Sequence, residues 1–167
     1  MKSRSLPPLG RSRVIHTIGY QNLKVTDFID VLRSRGVTLV VDIRNNPFSF
    51  KPGFSKKWLM SHLPEYNIGY VNIPELGIPS KYRKELNGTA LWKKYDELLR
   101  TNAVQLHSVV NMVQGETAVL MCFEAHPRDC HRSRLAQRIG DLTGLPVTHY
   151  HSITNAWSEC EKEYSLP

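Results

Sequence analysis

The chain has 167 residues, 41% of them hydrophobic, and this length suits one domain with a substantial core rather than two. It contains 22 Lys and Arg against 15 Asp and Glu, which gives a formal net charge of +7. This balance favours a polyanionic partner, nucleic acid first, although a well-solvated basic surface with no specific partner is the alternative.

No apolar run reaches the roughly 18 to 20 residues of a membrane span, and residues 1–13 lack the apolar centre of a signal peptide. We therefore expect a cytoplasmic protein without membrane contact. Residues 1–13 mix basic side chains with Ser, Pro and Gly, which predicts a flexible basic arm before a single domain at 14–167. The three cysteines are an odd number without framework spacing, which favours reduced thiols over a disulfide scaffold: Cys122, Cys130 and Cys160.

Apolar, β-forming runs alternate with amphipathic stretches from residue 14 onward. The pattern predicts strands at 14–19, 38–44, 68–73, in the run that begins at Ala118, and at 146–150. It predicts helices near 28–36, after an N-cap at Ser55, over 90–114 (one helix, or two that meet near Asn102), and near 135–142. Residues 74–79 predict an exposed loop because they hold two Pro and one Gly, and a weak amphipathic tail surrounds Trp157.

This alternation of strands and helices predicts one α/β domain with a mostly parallel sheet of about five strands and helices on both faces. The carboxyl ends of parallel strands emerge at one edge of the sheet, where open α/β sheets bind ligands. We therefore expect residues 19–21, 42–44, 72–77 and 124–132 to surround a common crevice.

Residues 118–134 concentrate two thiols, two imidazoles and three guanidinium groups behind an apolar run. Cys122 and Arg128 have the Cys-x5-Arg spacing that places a thiolate beneath a phosphate cradle in cysteine phosphatases and some rhodanese relatives. The intervening loop contains Phe123 and Glu124 and has no glycine, which disfavours such a cradle. A buried strand residue is the alternative for Cys122.

Asp129 is a predicted N-cap that would place Cys130, His131 and Arg132 in the first turn of a helix, at the positive end of its dipole. This position favours anion binding and ionisation of the Cys130 thiol. The alternatives are solvated arginines, or a zinc site that uses Cys122, His126, Cys130 or His131. No paired Cys-x2-Cys or His-x3-His element supports zinc, so we assign no metal ligand and no cofactor.

Asp42 and Glu124 both follow apolar strands and would face one another across the crevice. Two carboxylates in a cationic pocket suit acid/base chemistry, in which one activates water or stabilises an oxocarbenium ion while the other, or His131, handles a proton. The alternative is that the carboxylates form ion pairs, Asp42 with Arg44 and Glu124 with Arg132, that hold the loop ends.

Residues 48–58 interleave aromatic rings with lysines, a pattern that suits stacked bases and their phosphates. Tyr20, Tyr82 and Arg83 would extend this surface. Phe54 and Trp58 have helical spacing, however, so they also fit core positions.

Four ordered motifs, spread from Ile15 to His149, resemble the family catalogued as domain of unknown function 488. They are 17–20 (TIGY), 42–44 (DIR) with 47–49 (PFS) and 52–55 (PGFS), 73–77 (IPELG), and 122–124 (CFE) with 130–132 (CHR). The resemblance implies a Rossmann-like or rhodanese-like α/β domain and carries no established reaction. The matching residues are Thr17, Gly19, Asp42, Arg44, Ser49, Glu124, Cys130, His131 and Arg132, whereas Arg128 lies in a more variable part.

The sequence thus supports a hypothesis of an enzyme that acts on a nucleotide, nucleic acid or other phosphorylated ligand, by hydrolysis of an N-glycosidic or related bond. The expected catalytic residues are Asp42, Glu124, Cys130 and His131. The expected ligand-binding residues are Thr17, Gly19, Tyr20, Arg44, Ser49, Lys51, Arg128 and Arg132. The alternative function is a noncatalytic nucleic-acid-binding module, and the oligomeric state stays open.

Overall fold

A computed structural model describes residues 13–159, and six strands in this part form one sheet. The strands are β1 (Ile15–Gly19), β2 (Leu39–Asp42), β3 (Gly69–Asn72), β4 (Ala118–Cys122), β5 (Val147–His151) and β6 (Ala156–Glu159). Their order is β3-β2-β4-β1-β5-β6, with every neighbouring pair parallel except β5 and β6. The mostly parallel α/β sheet predicted from the sequence is confirmed.

Six α-helices connect these strands. They are α1 (Val25–Ser34), α2 (Lys56–His62), α3 (Ser80–Glu85), α4 (Gly88–Thr101), α5 (Ala103–Gly115) and α6 (His131–Thr143). Ser55 caps α2 as predicted, because its hydroxyl accepts a hydrogen bond from the backbone N–H of Trp58. The long amphipathic stretch forms two helices rather than one, separated at Asn102. None of the helices in the described part is long and apolar enough to cross a membrane.

The sheet separates two hydrophobic clusters, because successive side chains of a strand point to opposite faces. On β4, Leu120 and Cys122 belong to the cluster with α4, α5 and α6. Val119 and Met121 belong to the cluster with α1 and α2. Because helices cover both faces, β4 is apolar and buried along its whole length.

Three local predictions need correction. Residues 156–159 form an antiparallel edge strand, not an amphipathic tail, so the sheet has six strands instead of about five. Residues 74–76 form a 3-10 turn, and the following Ile78 is buried with Leu76 instead of lying in an exposed loop. The N-cap of α6 is Cys130 rather than Asp129. The predicted basic arm falls almost entirely on residues 1–12, outside the described residues.

Adjacent strands β1 and β4 are followed by helices on opposite faces of the sheet: α1 follows β1, and α6 follows β4. Such a point, where the connections diverge, leaves a crevice at the carboxyl ends of the strands. Here Gly19 and Cys122 are register partners at the ends of β1 and β4. The topology therefore opens the sheet next to the segment that concentrates the reactive side chains.

Candidate functional site

A cleft of about 600 Å³ lies at this carboxyl edge of the sheet. Its walls come from the loop after β2, from α3, and from the segment after β4, with Tyr20 after β1. Within residues 13–159, four basic side chains line the cleft, together with one carboxylate and one imidazole: Arg44, Lys51, Arg83, Lys84, Glu124 and His131. The cleft is therefore predominantly cationic.

Asp42 and Arg44 form a buried ion pair beside the cleft. Arg44 Nε donates to Asp42 Oδ1 at 2.8 Å, Arg44 Nη2 donates to Oδ2 at 2.5 Å, and the Asp42 side chain is fully buried. Tyr70 donates its hydroxyl to Oδ2 as well. Asp42 does not line the cleft, so the structure corrects the expectation that it faces Glu124 across the crevice and matches the alternative of an ion pair with Arg44.

The surroundings of this pair change two pKa values. Burial alone would lower the pKa of Arg44, but the hydrogen bonds and charge of Asp42 raise it. Burial raises the pKa of Tyr70, and the Asp42 carboxylate adds to this effect. Arg44 Nη1 also donates to the Tyr20 hydroxyl and to the Phe54 carbonyl oxygen, both at 2.8 Å. Arg44 therefore presents a charged edge to the cleft while most of its donors are already used.

Among the described residues that line the cleft, Glu124 is the one carboxylate. Its Oε1 accepts a hydrogen bond from Arg83 Nη1 at 2.6 Å. Its Oε2 is buried and has no hydrogen-bond partner among the described residues. The alternative of an ion pair between the Glu124 and Arg132 side chains is not what the structure shows, because Arg132 donates to the backbone oxygen of Glu124 instead.

His131 lies in the cleft wall at the start of α6 and is almost completely buried. Its Nε2 lies 3.1 Å from the carbonyl oxygen of Ile43 and must donate there, because a carbonyl only accepts. The lone pair of Nδ1 then faces Arg83 Nη2 at 3.5 Å and Cys130 Sγ at 3.8 Å. Burial lowers the pKa of His131 to about 4, although the Glu124 carboxylate opposes this shift, so the ring is neutral at pH 7.

Arg132 is a fully buried cation behind the cleft and does not line it. Its Nε donates to Thr17 Oγ1 at 3.2 Å, its Nη1 to Cys122 Sγ at 2.9 Å and to the Glu124 carbonyl oxygen, and its Nη2 to the Ala125 carbonyl oxygen at 3.4 Å. Burial lowers its pKa to about 10, so it remains charged at neutral pH. Arg132 thus ties the end of β1 to the end of β4.

Thr17 and Gly19 support this arrangement instead of lining the cleft. Thr17 Oγ1 shares a hydrogen bond of 2.7 Å with His149 Nδ1 and accepts from Arg132. A Cβ atom at Gly19 would overlap the carbonyl oxygen of Glu124 and crowd the Arg132 guanidinium. Only glycine lets β1 approach the loop after β4 this closely.

Cys122 and Cys130 meet at the floor of the cleft, and their Sγ atoms are in direct contact. The structure therefore pairs these two cysteines, contrary to the expectation of reduced thiols, and Cys160 lies outside the described residues. Cys122 ends β4 and lines the cleft, whereas Cys130 caps α6 by accepting a hydrogen bond from the Arg132 backbone N–H at 3.4 Å. Cys122, Cys130 and Glu124 each offer one ligand atom to a metal, and these atoms lie within 4.8 Å of one another.

The aromatic loop contributes both core and surface residues. Phe54 is fully buried and stacks on Tyr20 with ring centroids 4.3 Å apart, so it is a core anchor. Phe48 and Phe50 line the cleft with 60% and 93% of their surfaces exposed. Ser49 and Lys51, two of the expected ligand-binding residues, also line the cleft, whereas the exposed Arg128 does not.

The sequence pattern missed the contribution of α3. This short helix places Ser80, Arg83 and Lys84 in the cleft wall. Arg83 was expected only to extend the surface, and its ion pair with Glu124 joins residues that are 41 positions apart. The available signal was the basic run that follows Pro79, which reads Ser-Lys-Tyr-Arg-Lys.

The fold and the cleft together define an α/β domain of the doubly wound type that holds a cationic crevice at the carboxyl ends of its strands. Within this class, the chain belongs to the family described as "Domain of unknown function DUF488", whose model matches residues 24–139. No curated protein and no solved structure matches the chain.

Proposed function

We propose that this protein is an enzyme that acts on a nucleotide, a nucleic acid or another phosphorylated ligand in the cleft, by hydrolysis of an N-glycosidic or related bond. One observation carries the proposal: Glu124 shares a single cleft with four basic side chains, Arg44, Lys51, Arg83 and Lys84. A phosphorylated substrate supplies the negative charge that such a cleft attracts.

The positions of these charges suit a phosphate near α3. Arg83 and Lys84 are exposed on the cleft wall, and Lys51 lies on the loop that carries the two exposed phenylalanines. Arginine and lysine side chains bind phosphate oxygens directly, and exposed rings such as Phe48 and Phe50 stack on bases. A nucleotide could therefore contact α3 through its phosphate and the aromatic loop through its base.

Glu124 is the candidate acid/base group. Arg83 holds Oε1, which leaves the buried Oε2 to accept a proton from a water molecule or to face positive charge on a sugar. In the hydrolytic step, water adds to the anomeric carbon and loses a proton to Glu124, while the leaving group departs with the bonding electrons and takes a proton from solvent. Neutral His131 contributes a hydrogen-bond acceptor beside Arg83. Asp42 has no part in this step because Arg44 and Tyr70 occupy its oxygens.

The test is a screen of nucleotides, phosphorylated sugars and single-stranded oligonucleotides, with products followed by mass spectrometry. Glu124→Gln should lower turnover at least about 100-fold, the usual contribution of a positioned acid/base group. Glu65→Gln, an exposed carboxylate beyond α2, is the matched control and should keep the wild-type rate. Full turnover by Glu124→Gln on a substrate found in the screen would contradict the assigned chemistry.

A noncatalytic nucleic-acid-binding module is the second candidate, favoured by the exposure of Phe48 and Phe50 beside Lys51. Binding of single-stranded oligonucleotides would then fall steeply with salt and survive Glu124→Gln, without any turnover. The same screen separates the two functions, because only the enzyme releases a product.

A further inference from the structure

Two sulfur atoms and one carboxylate meet where β4, the loop after it and α6 come together. The Sγ atoms of Cys122 and Cys130 and a carboxylate oxygen of Glu124 lie within 4.8 Å of one another. Cys122 and Glu124 also line the cleft, so an ion in the cleft can reach these ligand atoms. We infer that, when this cysteine pair is reduced, these three residues bind one divalent transition-metal ion, with Zn²⁺ the best match, at the floor of the cleft.

The backbone spacing of the two cysteines supports a shared ion. Their Cα atoms are 7.4 Å apart, whereas disulfides usually span about 4.4 to 6.8 Å between Cα atoms. The two residues also belong to rigid elements, since Cys122 is the last residue of β4 and Cys130 is the N-cap of α6. After reduction the two thiolates can move apart and hold one tetrahedral zinc ion between them, because this backbone spacing leaves room for two Zn–S bonds of about 2.3 Å.

Glu124 brings an oxygen that the rest of the protein does not use. Arg83 holds Oε1, whereas Oε2 is buried without a hydrogen-bond partner among the described residues. A buried carboxylate oxygen without a donor costs free energy, and coordination to a cation removes this cost. The ion pair with Arg83 also fixes the orientation of the carboxylate, as outer partners of metal ligands commonly do.

The charges of the ion and its three ligands nearly cancel. Two thiolates, one carboxylate and a dication leave one net negative charge, and the buried Arg132 guanidinium lies 2.9 Å from Cys122 Sγ. Its backbone N–H contacts Cys130 Sγ as well. Arg132 thus stabilises both sulfurs as thiolates, the form in which cysteine binds metals.

The three protein ligands leave a fourth position for water or substrate, which is the arrangement of catalytic rather than structural zinc sites. This inference refines the proposed function: with Oε2 on the ion, Glu124 would influence water through the metal instead of as a free base. Metal binding is measured without any substrate, however, so either proposal can fail while the other stands.

The experiment titrates Co²⁺ into the full-length, metal-free chain under reducing conditions. We expect one equivalent to bind, with the near-ultraviolet absorption of cobalt–thiolate bonds, and we expect Zn²⁺ to displace it. Cys130→Ser should abolish this absorption and weaken Zn²⁺ binding at least about 100-fold, while serine keeps a good N-cap for α6. Cys160→Ser is the matched control and should behave as wild type.

Glu124→Gln should retain thiolate absorption but bind Zn²⁺ about tenfold more weakly, because it loses one ligand charge. The inference is overturned if the reduced wild-type chain gives no cobalt–thiolate absorption, or if Cys130→Ser gives the same absorption as wild type. An unchanged Zn²⁺ affinity in Glu124→Gln would overturn the assignment of the carboxylate as a ligand.

Discussion

Arg132 Nη1 lies 2.9 Å from Cys122 Sγ, which joins the first turn of α6 to the last residue of β4. The same guanidinium reaches Thr17 on β1 and two backbone oxygens after β4. One buried side chain therefore holds together the three segments that meet at the cleft floor.

Arg132→Ala should destabilise the protein by about 3 kcal/mol or more, because it leaves buried acceptors without donors and opens a cavity. Urea unfolding followed by circular dichroism measures this change. Arg134→Ala is the control: Arg134 pairs with partly exposed Asp96, and its loss should cost about 1 kcal/mol or less. Equal stability of the two variants would contradict the structural role of Arg132.

Asp42→Asn should destabilise the protein by about 3 to 5 kcal/mol, because the buried Arg44 charge loses its carboxylate partner. Asp96→Asn, at a more exposed ion pair, should cost about 1 kcal/mol or less. Thermal and urea unfolding measure both. Under conditions where Asp42→Asn is folded, its turnover should match that of the wild type. A large loss of turnover in the folded variant would indicate that Asp42 is a catalytic residue.

Gly19→Ala should cost about 2 kcal/mol or more, because its Cβ would overlap the Glu124 backbone and force β1 away from the following loop. Gly115→Ala is the matched control, since a Cβ there meets no atom within 4 Å. The control should be neutral or slightly stabilising in urea unfolding. If Gly19→Ala left the free energy of unfolding unchanged, the loop after β4 would be able to move away from β1 at little cost, contrary to this prediction.

His149 should make stability depend on pH. Burial, helped by the charge of Arg132, lowers its pKa to about 4 from the ordinary 6.5. Between pH 6.5 and pH 4 the unfolded chain therefore binds a proton that the fold excludes, and the free energy of unfolding falls as pH drops through this window.

The contribution of His149 is fully present above pH 6.5 and amounts to roughly 1 to 3 kcal/mol. Urea unfolding across the window should give a shallower pH slope for His149→Gln than for wild type. Exposed His107→Gln is the control and should keep the wild-type slope. Identical slopes for all three proteins would contradict the role of His149.

Lys84→Ala should weaken the binding of a single-stranded oligonucleotide or nucleotide about three- to tenfold. It should also reduce the slope of log affinity against log salt concentration by about one, the loss of one phosphate contact. Lys81→Ala is the matched control, because Lys81 lies on the same helix but does not line the cleft. Fluorescence anisotropy at several salt concentrations measures both variants. Equal losses in both would point to diffuse charge attraction instead of a site in the cleft.

The fold was largely predictable because the central strands are buried on both faces and stand out as apolar runs. β6 was missed because four residues carry little pattern, and its strand character comes from pairing with β5. The segment 74–79 was misjudged because proline can begin a 3-10 turn, while burial of Leu76 and Ile78 depends on tertiary packing.

The candidate site was predictable only in part. Convergence of the strand ends brought Tyr20, Arg44 and Glu124 to one cleft, as parallel topology requires. The pairing of Glu124 with Arg83 depends on where α3 lies, and local patterning carries no information on that position. Asp42 and Arg132 are buried and do not line the cleft, although other acidic and arginine residues do. The sequence pattern does not show which charged residues are buried and which line the cleft.

Helix α3 buries none of its own residues, yet it supplies Ser80, Arg83 and Lys84 to the cleft wall. Under the proposed function, ligand preference and folding stability are therefore encoded by different parts of the chain at this point. A library confined to these three positions would then alter which anion is selected while Arg132, Asp42 and Gly19 keep the scaffold intact, so α3 is the place to redesign specificity.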